Sequence, residues 1–439
     1  MIKKVTSGVI VIILALSAFL YVQINSVREQ VIALLNKQQI QFSSLNLHFF
    51  PTPQISLESP HFSYQDQRIG FKQATVKLAL FPLLGGRFVL DRLQLSQGHF
   101  FATDWILQDV EFSDTNLSSD NWASFLESLK NPLNFDRTLA EINFHLNGNL
   151  SSPTQDKLRF SANFTLGNRQ LAVSAVKISL DLQKPTYNGN RQFAMAWNES
   201  RIEQKETTKY VMVIRDLNLN QALLGSPKIL LDTTRQEVSV TQLCQDCTIT
   251  GRWQEHSDKK MTALLWLNAM PLERVLTAVK LPVIASGSTD FSAAMLWQNG
   301  NLLESEFHSE THKGKLLGLN LLSLVAQYLP INYDEQALQS KNMDTAFNKL
   351  TVQSRWEGGK LLFDDIELDT STIVAQGRGM SDWFAMQCDV TLNIGLREYP
   401  KFVLPIRFFD RCDSPQYDIK FNKNFRDQLR SLLREKLLN

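Results

Sequence analysis

Three clusters in this 439-residue chain have residue types and spacings that reactive sites use. Cys244-Gln-Asp-Cys247 has the two-residue gap of redox and zinc motifs. A thioredoxin-like pair opens a helix in a βαβ unit, but Val238-Ser-Val240 before it and Thr248-Ile-Thr-Gly-Arg-Trp253 after it read as strands. Zinc needs two more ligands, and His256 alone is near, so the pair reads as a tight local disulfide or inert thiols. Cys388 and Cys412 flank two apparent strands and are placed to be bridged across a sheet, which suits an oxidising compartment. His308-Ser-Glu-Thr-His312 sets two imidazoles at i, i+4, the start of a metal site if helical; the polar run 307–314 reads instead as a solvated turn. Asp364, Asp365, Glu367 and Asp369 around Ile366 and Leu368 look like the wet face of a strand, since a calcium loop would place Gly at its sixth position.

Walker A, GxGxxG, GxSxG and HExxH sequences are all absent. The sequence therefore predicts no enzyme, no cofactor and no metal site. Lys plus Arg total 45 against 44 Asp plus Glu, so the overall charge gives no global electrostatic reason to expect nucleic-acid binding, which leaves only local patches open.

The elements that would position any site begin with a membrane signal. Lys3 and Lys4 precede residues 5–22, whose polar interruptions are Thr6, Ser7, Gly8 and Ser17. About 18 helical residues rise roughly 27 Å, close to the hydrocarbon thickness of a bilayer. Basic residues before the segment hold the N-terminus in the cytoplasm and send the chain outward. Ala15-Leu16-Ser17 offers a cleavage site, yet the apolar run continues through Val22, which favours an uncleaved anchor over residues 1–24. Ile24, Val27, Val31, Leu34 and Leu35 then recur at helical spacing.

Beyond that helix the period becomes two. Leu45, Leu47 and Phe49 alternate with polar residues, as do Ile142, Phe144 and Leu146, and Phe160, Ala162, Phe164 and Leu166. The same alternation recurs to Val390-Thr-Leu392-Asn-Ile394, with punctuation such as Asn147-Gly148, Tyr187-Asn-Gly-Asn190 and Asn299-Gly300. The fold class is mainly β: a long curled antiparallel meander with an N-terminal transmembrane helix and a few short helices. Helical spacing marks residues 119–130, with Trp122, Phe125, Leu126 and Leu129 as a stripe, and the very apolar 315–328, read as a buried plug. A basic amphipathic helix over 424–438 carries Arg426, Arg430 and Arg434 on its wet side, a candidate membrane-surface contact.

An apolar sheet face of this extent either packs on itself as core or shelters lipid tails. Ordered segments weight that choice. Phe49-Phe-Pro-Thr-Pro-Gln-Ile-Ser-Leu57 and Leu80-Phe-Pro-Leu-Leu-Gly-Gly-Arg-Phe-Val-Leu-Asp-Arg-Leu-Gln-Leu-Ser-Gln-Gly98 follow the anchor. Gly318-Leu-Asn-Leu321, Thr345-Ala-Phe-Asn-Lys-Leu350, Trp356-Glu-Gly-Gly-Lys360, Gly377-Arg-Gly-Met-Ser-Asp382, Leu404-Pro-Ile-Arg-Phe-Phe409 and Ser414-Pro-Gln-Tyr-Asp-Ile419 close the chain. In this order they resemble the AsmA family of inner-membrane-anchored envelope proteins of Gram-negative bacteria, with Asn320 standing where an acid is common.

The resemblance implies a repeating β-groove over residues 25–290, an AsmA-like C-terminal β region over 291–439, and a periplasmic role in outer-membrane biogenesis. Its implied ligand is phospholipid, moved between envelope membranes. Leu45, Leu47, Phe49, Ile142, Phe144, Leu146, Phe160 and Phe164 are the candidate lining. The competing expectation is a scaffold or regulator of outer-membrane protein assembly, acting through contacts with envelope assembly proteins.

Overall fold

The computed structural model describes residues 28–29, 32–33, 35–37, 39–48, 52–64, 67–84, 87, 89–99, 105–118, 120–121, 125, 141–152, 155–167, 170–184, 189–241, 246–256, 260–298, 301–329, 343–419, 425–428, 430–431 and 434. It is mainly β, with one large antiparallel sheet and few short helices. The expected anchor lies outside the described residues, and no described helix is long and apolar enough to cross a membrane. The chain divides into two compact units, one of residues 1–182 with 196–204 and one of 183–195 with 205–439.

The first unit holds β1 (Ser44–His48), β2 (Gln54–Glu58), β3 (His61–Tyr64), β4 (Gln67–Leu78), α1 (Leu80–Leu84), β5 (Leu90–His99), β6 (Ile106–Ser113), β7 (Ile142–Ser151), β8 (Lys157–Gly167) and most of β9 (Gln170–Lys184). β1 pairs with β2 and β2 with β4, and from β4 to β9 each strand pairs antiparallel with the next. Its buried side chains include Leu90, Leu117, Phe125, Ile142, Phe144 and Leu166. The Phe144 ring stacks between Phe112 at 4.3 Å and Phe164 at 5.0 Å, and Phe125 meets it edge-on at 5.8 Å. Offset stacks with a T-shaped cap are the favoured aromatic arrangement.

β10 (Gly189–Glu206) contributes to both units. The second unit continues with β11 (Lys209–Arg215), β12 (Leu217–Leu219), β13 (Ala222–Gly225), β14 (Lys228–Asp232), β15 (Glu237–Thr241), β16 (Thr248–Glu255), β17 (Lys260–Pro271) and α2 (Leu272–Ala278). Then come β18 (Ala285–Gln298), β19 (Asn301–Leu316), α3 (Leu321–Ala326), β20 (Thr345–Glu357), β21 (Lys360–Asp369), β22 (Ile373–Asp382), β23 (Gln387–Leu396), β24 (Tyr399–Arg411) and β25 (Gln416–Ile419). β11 pairs with β14, and from β14 to β25 each strand pairs antiparallel with its successor. The expected division between residues 290 and 291 falls within β18.

The core of the second unit lies under α3. Leu321, Leu324 and Val325 pack on Phe347, Ile373, Ala375, Ile394, Phe402, Leu404 and Ile406. Asn320 caps this helix by accepting a hydrogen bond from Ser323 N at 2.9 Å, as the acid usual in the resembled motif would. Cys388 and Cys412 are disulfide-bonded, with Cα atoms 5.0 Å apart, and tie β23 to the end of β24. Cys247 is also disulfide-bonded and buried, while Cys244 lies outside the described residues.

Several sequence expectations change here. Residues 307–314 are not a turn: they lie within β19, paired to β18 and β20, because strands on both sides satisfy a backbone whose side chains are polar. The helix expected over 315–328 shortens to α3, since Lys315 and Leu316 extend β19 and Leu317–Gly318 turn, Gly318 at φ +69°. Asn147-Gly148 is not punctuation but mid-strand in β7. Gly148 faces Phe160 across the ladder, where a Cβ would sit 2.6 Å from the ring. The alternation at 364–369 is interrupted by a bulge between Phe363 and Ile366. Of the helix expected over 119–130, Phe125 is described as helical and buried; Trp122, Leu126 and Leu129 lie outside the described residues.

Candidate functional site

Strand register decides which side chains share a face, because alternate residues point to opposite sides. In the first unit one row crosses the strands through Leu47, Ile55, Val76, Leu93, Phe112, Leu146 and Ala162. The adjacent row on that face runs Leu45, Leu57, Ala74, Leu95, Val110, Gly148, Phe160 and Ile178. Neither row contains a polar side chain. The opposite face is polar and hydrogen-bonded: Thr165 Oγ1 donates to Asn143 Oδ1 at 2.7 Å, His145 Nδ1 lies 2.6 Å from Asn163 Oδ1, and Arg159 pairs with Asp181 at 3.0 Å.

The second unit repeats the pattern. A row runs Met212, Ile229, Val240, Ile249, Leu267, Phe291, Ser309, Val352, Ile366, Gly377, Leu392, Ile406 and Ile419, interrupted in polarity by Ser309 alone. Glycine fits at 377 because a Cβ there would overlap Leu392 and the Thr391 carbonyl, so the row dips without becoming polar. Phe291, Val352, Ile366 and Leu392 are half-buried, whereas Ile406 is fully buried beneath the α3 core.

The sequence-derived lining residues fall into two environments. Leu45, Leu47, Leu146, Phe160 and Phe164 are half-buried on the apolar face. Ile142 and Phe144 share that face but are buried, enclosed with Leu117 and Phe125, so they are core rather than open lining. Phe49 lies outside the described residues. Sequence patterning missed the middle of the second unit, β17 to β20. Leu264, Leu265, Trp266 and Leu267 are consecutive and apolar on both faces, which hides a period of two.

At the C-terminus, Arg426, Arg430 and Arg434 are exposed helical residues one turn apart, with Arg430 3.9 Å from Asp427. Phe425 is buried against Phe402 at 5.6 Å, so the helix is moored by its first turn. One buried cation escaped sequence reading. Arg191 donates from Nε to the Trp383 carbonyl at 2.7 Å and from Nη1 to the Lys280 carbonyl at 3.2 Å, with its guanidinium 5.1 Å over the Trp383 ring. Burial lowers its pKa and the nearby Asp382 charge opposes the shift. The Trp383 indole in turn donates to the Val279 carbonyl at 3.1 Å, so this residue pair binds the loop after α2 to the β22–β23 turn.

Among the described residues no group of three or more His, Cys, Asp or Glu is placed to hold a metal ion. No family model matches the chain. It is similar to a Haemophilus influenzae (strain ATCC 51907 / DSM 11121 / KW20 / Rd) protein named only as uncharacterized, 27% identical over 440 residues that span 99% of this chain and 100% of that protein.

Proposed function

We propose that the chain is an AsmA-like protein, anchored in the inner membrane by residues 1–24 with its bulk in the periplasm, that binds or moves phospholipid along the apolar sheet face. The supporting observation is the two cross-strand apolar rows of the first unit, opposed by a polar, hydrogen-bonded face, and the apolar row, broken by Ser309 alone, that crosses the second. Wetting an acyl chain costs roughly 0.8 kcal/mol per CH₂, so free desorption of a phospholipid is slow. Side chains such as Phe160, Phe291, Val352 and Ile366 replace tail contacts while the head group stays in water. No bond is made or broken in this reading, and direction comes from a sink or an energised partner elsewhere.

The test is extraction of the purified full-length chain followed by lipid mass spectrometry. Stoichiometric phospholipid is expected, lost on Phe291→Asp or Val352→Asp with the fold retained. A folded chain that carries none, and takes up none from labelled vesicles, overturns the proposal. The enclosure of Ile142 and Phe144, and of Ile394 and Leu404, favours a second reading as a scaffold for envelope assembly proteins. Crosslinks to such proteins that survive both Asp substitutions would support it.

A further inference from the structure

The opposite face of the second unit carries a cleft of about 540 Å³ across β17 to β21. Its origin is readable from register. Leu264 and Trp266 on β17 stand opposite Ala294 and Ser292 on β18, and these small residues stand opposite Glu306 and His308 on β19. Arg355 and Gln353 on β20 continue the two rows. Small side chains between two taller ranks leave a trough with one apolar wall, an alanine–serine floor and one polar wall. Trp266 and Leu264 are 36% and 43% exposed along the apolar wall.

Parts of that face are closed by ion pairs across strands: Glu310 with Lys349 at 2.8 Å, Asp389 with Arg407 at 2.6 Å, Glu237 with Arg252 at 3.5 Å. Arg355 is the register partner of Glu306, yet it pairs at 2.7 Å with Asp364, which the β21 bulge brings to it. Among the described residues, the exposed side chains of Glu306, His308 and Gln353 make no hydrogen bond and stand beside an exposed indole.

The geometry points to a carbohydrate-binding site in this trough, in which a pyranose ring lays its C–H face on Trp266 and Leu264 and turns its hydroxyls to Glu306, His308 and Gln353. A sugar ring is the common ligand class that is apolar on one face and rich in donors and acceptors at its edge, which is the division between these two walls. A fused aromatic ligand would leave the polar wall unpaired, and an acyl chain would do so more completely. The volume lies within the range of small-ligand sites. The site is independent of the lipid-binding proposal, being on the other face of the sheet.

The test uses the full-length chain in lauryldimethylamine oxide, which has no sugar head group. Saturation-transfer NMR is recorded with maltotriose, cellotriose and chitotriose. Transfer to ring C–H protons is expected from at least one of them, with affinity falling about tenfold or more in Trp266→Ala, a smaller loss in Glu306→Gln, and partial recovery in Trp266→Phe. Circular dichroism checks that each variant is folded. No transfer from any of the three sugars, or equal transfer to Trp266→Ala and the parent, overturns the proposal.

Discussion

Along a single row of the second unit, Val352 and Ile366 are half-buried while Ile406 is fully buried, although all three are β-branched residues at inward positions of paired strands. The difference lies off the sheet. Ile406 and its neighbours Ile394 and Leu404 have α3 and Phe425 above them, and Val352 has no such cover among the described residues. The first unit repeats the contrast: Phe125 and Leu117 enclose Ile142 and Phe144, while Phe160 two strand positions beyond Ala162 stays half-buried. An apolar strand face is thus core or accessible surface according to whether a third element covers it, and mutations should separate the two.

The largest effect is expected under the cover. Ile394→Ala and Leu404→Ala should each lower the unfolding free energy by about 2–5 kcal/mol, because the lost methyl groups leave a cavity that the sheet cannot close. Denaturant melts of the full chain measure this. Removing the Cys388–Cys412 bond, which closes a separation of 24 residues, by Cys388→Ser together with Cys412→Ser should cost about 3 kcal/mol and lower the midpoint. An unchanged melt in that double variant would show that the β23–β24 end is held by its ladder alone.

In the uncovered stretch, Val352→Ala should cost less than about 1.5 kcal/mol, and Val352→Asp should remove bound phospholipid while leaving a cooperative melt. If instead Val352 proves as sensitive as Ile394, the contrast between covered and uncovered stretches collapses. The smallest effect belongs to the polar rim. The hydrogen bond from Arg411 holds the Asp413 carboxyl down to about 2. A depressed carboxylate contributes stability that is full above the ordinary value near 3.8 and is lost as pH falls through about 2. Carboxyl-carbon NMR should place the midpoint there, and Arg411→Ala should return it to the ordinary range with little change in the melt at neutral pH.

Much of the architecture is legible in period-two spacing. β7 and β8 are plain in the sequence because Asn143, His145, Asn163 and Thr165 alternate with Ile142, Phe144, Phe164 and Leu166. The 301–316 strand is not, because its polar His308-Ser-Glu-Thr-His312 run has no alternation and becomes a strand only through β18 and β20 on either side. α3 is legible as an apolar plug but not in length, since Lys315 and Leu316 pair as strand before the turn at Gly318. The carbohydrate trough has no sequence signature at all. Trp266, Ser292, His308 and Gln353 meet only through three strand registers.

The sequence by itself determined that this chain builds strands with one apolar face and that alternating residues such as Leu47, Leu146 and Phe160 belong to it, because side-chain direction along a strand is a local property of the backbone. It also placed the cysteines that β23 and β24 bring together. Only the tertiary structure decided which part of that face is core. Burial depends on what packs above the sheet, and α3, Phe125 and Phe425 reach their positions from segments whose own sequences do not name the strands they cover.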